Sequence, residues 1–262
     1  MDKASWVGVF LALAGIIGGL LLEGGRLAQI IQPTAAMIVF GGTLGAVLLQ
    51  FPLPVVLAAA GQLAQVFFER QSEPQSVIRE LVRYADKARR EGIVSLDAEL
   101  PKIPDPFFRK CLMLAVDGTE PQQLREIMEL DLDNQSEYQD AIPHVFDSAG
   151  GFSPTIGIIG AVLGLIQVMQ HLDKIDEVGR GIAVAFVATI YGVGSANLFF
   201  LPAAGKLKIR IREEQIVREM TLEGVASILE GMHPRILETK LLGFLAEVNN
   251  LQLRREETGV LQ

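Results

Sequence analysis

The chain has 262 residues, half of them hydrophobic, a mean hydropathy of +0.34 and a formal net charge of -8. It carries no basic tract interleaved with aromatics of the kind that binds nucleic acid. The single cysteine, Cys111, excludes any disulfide within the chain and reads as a reduced, buried thiol.

The fold class expected is an all-α membrane protein. Asp, Glu, Lys and Arg are absent from Ala4–Leu22, Leu27–Phe68, Ser148–Gln170 and Gly181–Gly205. A helix needs about 20 mostly apolar residues to cross the ~30 Å hydrocarbon layer, and four stretches supply them. Crossings are therefore placed at Ala4–Leu22, Thr34–Gln50, Phe152–Gln170 and Ile182–Leu201. Lys3 and the apolar run after it lack an A-x-A cleavage site, so the first stretch reads as a retained helix and not as a leader. Glu23–Pro33 and His171–Gly181 are short turns within the two pairs. Lys206, Lys208, Arg210 and Arg212 follow the fourth crossing before any acidic residue, which puts both termini and the middle block in the cytoplasm. The expected domains are residues 1–52 (first pair), 53–150 (cytoplasmic helical block), 151–205 (second pair) and 206–262 (cytoplasmic tail).

The stretch from Glu69 to Asp147 carries most of the negative charge, with 17 acidic and 10 basic residues. Ser72-Glu73-Pro74 predicts a helix start, Gly92 its end, and Val77, Leu81, Val82 and Ala85 its apolar face, opposite Arg79, Arg83 and Lys87. Further helices are expected over Asp105–Val116, Pro121–Leu130 and Asn134 to about Asp147, and in the tail over Leu207–Leu229 and Pro234–Leu253.

Glycines crowd the crossings, notably Gly41-x3-Gly45 and Gly160-x3-Gly164, and read first as packing faces, because small residues let helix backbones approach in lipid. The polar residues there are sparse: Thr155, Thr189, Tyr191, Ser195 and Asn197. A lone Thr such as Thr189 usually bonds its own helix backbone. Pro154 and Pro202 read as punctuation at the start of the third crossing and the end of the fourth. No crossing holds a carboxylate, Lys or Arg, so a titrating group for ion transfer would have to come from another chain. The three histidines do not converge, and no nucleophile triad, P-loop or metal-binding pattern is present, so no enzyme and no cofactor is expected.

Three ordered segments resemble the MotA/PomA-type flagellar motor stator subunits of the MotA/TolQ/ExbB proton channel family. They are Gly151-Phe-Ser-Pro154-Thr-Ile-Gly157-Ile-Ile-Gly160-Ala-Val-Leu-Gly164, Ala185-Phe-Val-Ala-Thr189-Ile-Tyr191-Gly192 through Pro202, and Glu223-Gly224 followed by Gly231-Met-His-Pro234 and Lys240-Leu-Leu-Gly-Phe-Leu245. The resemblance implies a ring of five copies in the bacterial inner membrane around a dimer of a MotB/PomB-type B subunit, pushing on the rotor protein FliG. It implies that Pro154, Thr189, Pro202 and Tyr191 belong to the ion pathway and its gating. It also implies that Arg89, Arg90 and Asp97 face the rotor. Sodium-type members carry a threonine where this chain has Ala161; lacking that oxygen ligand, the chain is expected to pass H+ in preference to Na+. An ExbB/TolQ-like or gliding-type energising subunit is the alternative.

Overall fold

The structure, a computed structural model, describes residues 3–67 and 74–245. Among these residues the secondary structure is entirely helical. The elements are α1 (Lys3–Leu22), a 3-10 turn (Leu27–Ile30), α2 (Pro33–Gln50), α3 (Leu53–Phe67), α4 (Pro74–Glu91), a 3-10 segment (Ile93–Lys102), α5 (Pro106–Val116), α6 (Pro121–Gln170), α7 (Ile175–Ser195), a π turn (Ala196–Phe200) and α8 (Leu201–Leu229). Residues 234–245 are helical too. The chain divides into two compact units, Met1–Arg70 with Asp140–Lys208 and Gln71–Gln139 with Ile209–Gln262.

The first unit holds the apolar stretches. Three helical runs among the described residues are long and apolar enough to cross a membrane: Pro33–Gln50, Pro121–Gln170 and Ile175–Leu229. The stretch Trp6–Leu22 of α1 is apolar and shorter. Trp6, Phe10, Leu11 and Leu22 project outward from it, the mark of a helix whose natural surroundings are themselves apolar. Against α7, α2 buries Ala35 and Val39, which cluster with Val184, Val187 and Ala188. Helix α3 follows α2 after a break of two residues, Phe51 and Pro52, and has no counterpart among the expected elements. It buries Ala59 in a cluster with Val47, Ile142, Phe146 and Leu207, an extension of the charge-free run past Gln50.

Several boundaries differ from expectation. Instead of separate helices over Pro121–Leu130, Asn134–Asp147 and Phe152–Gln170, one α6 of 50 residues runs through Pro143 and Pro154. A proline removes one ladder bond but its fixed φ suits a helix, so packed flanks carry the helix across it. Likewise Pro202 does not end the helical run that follows α7. It is the second residue of α8, and the ladder adjusts just before it through the π turn, where the Leu201 N–H donates to the Ala196 carbonyl. The second connection shortens to His171–Lys174, because α7 begins at Ile175 with Asp176 and Glu177 in its first turn, where acidic side chains suit the helix dipole.

In the second unit α4 buries Ile78, Leu81, Tyr84 and Ala85. Val77 and Val82 are only half-buried, one step off the anticipated face. Gly92, at φ +84°, stops this helix as expected. Ser72 and Glu73 of the anticipated start lie outside the described residues. The side chain of Asp105 caps α5, accepting from the Phe108 N–H at 2.7 Å, with Pro106 at the first helical position. Helix α8 ends in a Schellman turn: the Met232 N–H donates to the Ser227 carbonyl and the Gly231 N–H to that of Ile228, both at 3.0 Å, with Gly231 at φ +74°. Residues 246–253 of the anticipated tail helix lie outside the described residues.

Candidate functional site: the helix pair that carries Pro154 and Thr189

Helices α6 and α7 lie backbone to backbone. A methyl added at Gly164 would stand 2.8 Å from the Gly181 carbonyl oxygen, one at Gly160 2.8 Å from Ala188 Cβ, and one at Gly157 2.9 Å from the Ala188 carbonyl oxygen. From the other side, a methyl at Gly192 would come within 2.6 Å of the Ser153 carbonyl oxygen and 3.2 Å of Pro154 Cα. The Gly160-x3-Gly164 face therefore packs as expected. Gly41 and Gly45 differ: among the described residues a methyl at either would meet nothing within 4 Å, whereas Gly42 faces Ile156. Packing partners select one side of α2, and they select Gly42.

Along this hairpin Thr189 is half-buried and its hydroxyl donates to the Ala185 carbonyl at 3.2 Å, one turn back on its own helix. Tyr191 is held from outside α7. Its hydroxyl donates to the Ile30 carbonyl at 2.6 Å and accepts from the Gln32 N–H at 3.2 Å, and its ring stacks on Phe40 at 5.8 Å between centroids. It thus ties the connection between α1 and α2 to α7. Pro154 is half-buried inside α6 against Gly192, Ala161 is half-buried one residue beyond the packed Gly160, and Pro202 is exposed. The exposed Thr155 and Asn197 bond carbonyls of their own helices, Phe152 at 2.8 Å and Val193 at 2.9 Å.

Two hydroxyls brought together by the tertiary structure complete the hairpin. Ser153 is fully buried; its hydroxyl donates to the Gly192 carbonyl at 3.0 Å and lies 2.6 Å from the Ser195 hydroxyl. Ser195 is one of the sparse polar residues visible in the sequence, whereas Ser153 is visible there only as part of a motif. Their separation along the chain gives no signal that they meet.

In the second unit Arg89 and Arg90 are exposed in the last turn of α4, Arg90 pairing with Asp86 at 2.9 Å. Asp97 is exposed on the following 3-10 segment. Lys87, read as solvent-facing, turns to Glu99 at 2.7 Å, and Lys102 reaches the same carboxylate at 3.1 Å. The bonds from Lys87 and then Lys102 pull the Glu99 carboxyl down to about 2. The charged residues of the third motif also acquire a structural reason. Glu223 takes ion pairs from Arg125 and Lys240, so it ties α6, α8 and the helical residues 234–245 together, and Arg125 reaches Glu230 at 2.8 Å as well. Gly224 lets Leu81 of α4 lie directly on α8. Burial pushes the Cys111 thiol up to about 12, so it stays protonated and inert at neutral pH.

His144 lies 3.5 Å from Asp147, His171 lies 3.2 Å from Glu177, and His233 accepts from the Arg235 N–H at 3.3 Å. Among the described residues no group of three or more His, Cys, Asp or Glu is placed to hold a metal ion.

Residues 99–220 match the family model described as the MotA/TolQ/ExbB proton channel family, and residues 6–92 match that of the motility protein A N-terminal region. Motility protein A of Bacillus subtilis (strain 168) is 35% identical over 260 residues, covering 98% of this chain and 95% of that protein. A solved structure of C. jejuni MotAB superposes with a TM-score of 0.88 at 30% identity, covering 93% of this chain and 96% of that one. The flagellar MotAB stator complex from Bacillus subtilis gives 0.85 at 34% identity, covering 96% and 99%. With both halves matched by their family models and a curated relative aligned almost end to end, the chain belongs to the motility protein A family of MotA/TolQ/ExbB proton channel proteins.

Proposed function

We propose that this chain is the A-type stator subunit of an ion-driven flagellar motor, passing ions in complex with a single-span B subunit and turning that flow into torque. The observation that carries the reading is chemical. Ser148–Gln170 and Gly181–Gly205 contain no acidic or basic residue, so the hairpin lines a route but brings no proton carrier of its own. A second chain must supply it, and the solved relatives are complexes of A with B. The match of residues 6–92 to the motility protein A N-terminal region favours a flagellar machine over an ExbB/TolQ-like one.

In this reading α1, α2, the last part of α6 and α7 with its π turn form four crossings of the bacterial inner membrane, with both termini cytoplasmic. Five copies surround a dimer of B, and the exposed apolar surface of α1 faces lipid or a neighbouring copy. Thr189, Pro154, Pro202 and Ala161 lie along the ion route, Tyr191 fixes the outer loop that borders it, and Ala161 selects H+ over Na+. Arg89, Arg90 and Asp97 meet FliG. No cofactor and no catalysis of a chemical reaction are involved.

The test is ion flux in liposomes holding this chain with its B subunit, under separate proton and sodium gradients. Flux that needs B, follows the proton gradient and disappears when the intramembrane carboxylate of B is replaced is the expected result. An assembled complex that passes neither ion refutes the reading.

A further inference from the structure

Pro154 and the π turn Ala196–Phe200 invite a picture in which α6 bends against α7 during each transport event, because both interrupt an α-helical ladder. The contacts around them point the other way. Ser153 immediately precedes Pro154, and Ser195 immediately precedes the π turn. Their hydroxyls lie 2.6 Å apart. The Gly192 carbonyl accepts from Ser153 at 3.0 Å and from the Ala196 N–H, so the Ser195 hydroxyl, 3.3 Å from that carbonyl, gives its single proton to the Ser153 oxygen. Each weakened ladder is thus bonded to the other helix at its weak point. From there the two backbones remain too close for an added methyl at Gly157, Gly160 and Gly164, up to Gly181 near the connection. Sliding or bending one helix alone would break a bond between fully buried groups and collide backbone with backbone.

We infer that Ser153 and Ser195 are positioning residues: their hydroxyl pair clamps α6 to α7, so that the hairpin moves as one body with no hinge at Pro154. The inference rests on the transport reading above for its functional consequence, and on geometry alone for the clamp. Movement that accompanies ion passage then belongs to whole hairpins relative to the B subunit, and Pro154 and Thr189 hold a constant relation throughout.

The test replaces both residues, Ser153→Cys and Ser195→Cys, in the full complex with B. Hydroxyls in direct contact place the two Cβ atoms within reach of the ~3.8 Å that a disulfide needs. Cys111 is buried and protonated, so a control carrying only Cys111 reports background. On oxidation one sulfur–sulfur bond forms between the two introduced side chains: their thiols lose two protons and two electrons to added diamide, which is reduced to its hydrazine. The expected result is near-complete cross-linking, at the same rate with and without an ion gradient. Flux of the oxidised complex should stay within about a factor of two of the reduced one. Flux that falls about tenfold on oxidation and returns with reductant would show a working hinge and overturn the inference. If even the unmodified complex passes no ions, the proposed function fails. The clamp is then decided by cross-linking alone, where slow or gradient-dependent disulfide formation overturns it. A second variant, Ser153→Ala with Ser195→Ala, removes the pair without adding chemistry. Its spin-labelled α6–α7 separation should broaden while assembly with B persists, and an unchanged distribution counts against the clamp.

Discussion

At Glu99 a carboxylate meets Lys87 at 2.7 Å, Lys102 at 3.1 Å and Arg83 at 3.9 Å, with only 13% of its side chain exposed. Its pKa falls from the ordinary 4.5 to about 2 in the folded chain, first through the bond from Lys87 and then that from Lys102. Because the folded value is the lower one, ionised Glu99 stabilises the fold fully above pH 4.5. That contribution drains away as the pH falls from 4.5 towards 2. The expected outcome is a gap in denaturant midpoint between the parent and Glu99→Gln that is widest near neutral pH and closes in acid. A gap independent of pH would mean that the carboxylate's charge is not what holds the 3-10 segment to α4. None of this is visible in the sequence, where Lys87 falls on a face read as solvated. Charges at i and i+12 carry no helical spacing, and only the turn at Gly92 folds them together. Tyr191 makes the same point. Its sequence neighbourhood carries only the family resemblance, while its two hydrogen bonds reach the backbone of a loop more than 150 residues away in sequence.

The helices themselves are largely legible, because charge-free length and 3.6-residue periodicity are local properties. What the sequence could not rank was its glycines. Gly41-x3-Gly45 and Gly160-x3-Gly164 have the same spacing, yet among the described residues only the second packs against a neighbouring helix, Gly164 on the backbone of α7. Gly164→Ala is therefore expected to force α6 off α7 and cost about 1–3 kcal/mol, the usual penalty of overpacking a closed interface. Gly41→Ala should leave the fold of the single chain unchanged and gain slightly in helix propensity. Thermal unfolding of both variants in detergent checks this; equal losses would contradict the difference in packing. The merging of three anticipated segments into α6 has a related cause. Pro154 reads locally as a helix start, but inside the helix it costs one hydrogen bond, and packing along α6 carries the helix across it as it does across Pro143.

For the molecule as a whole, Arg89, Arg90 and Asp97 belong to the unit that contains α4 and α5, while Pro154, Ala161, Thr189, Tyr191 and Pro202 belong to the other. Torque generation and ion passage should accordingly be separable by mutation. Reversing Arg89 and Arg90 to Glu is expected to abolish swimming while the complex with B still assembles and conducts. Since both side chains are exposed, unfolding is not the expected route to that loss. Normal swimming of the double variant would remove these residues from the rotor surface, and loss of assembly would assign them a structural role instead. The sequence by itself determined the class of this protein, since four uncharged apolar stretches match the thickness of the hydrocarbon layer, and any group titrating within them would have to come from another chain. Tertiary structure decided which small residues pack, which lysine is a strut, and that Ser153 meets Ser195. These are meetings of side chains distant along the chain, which no local periodicity encodes.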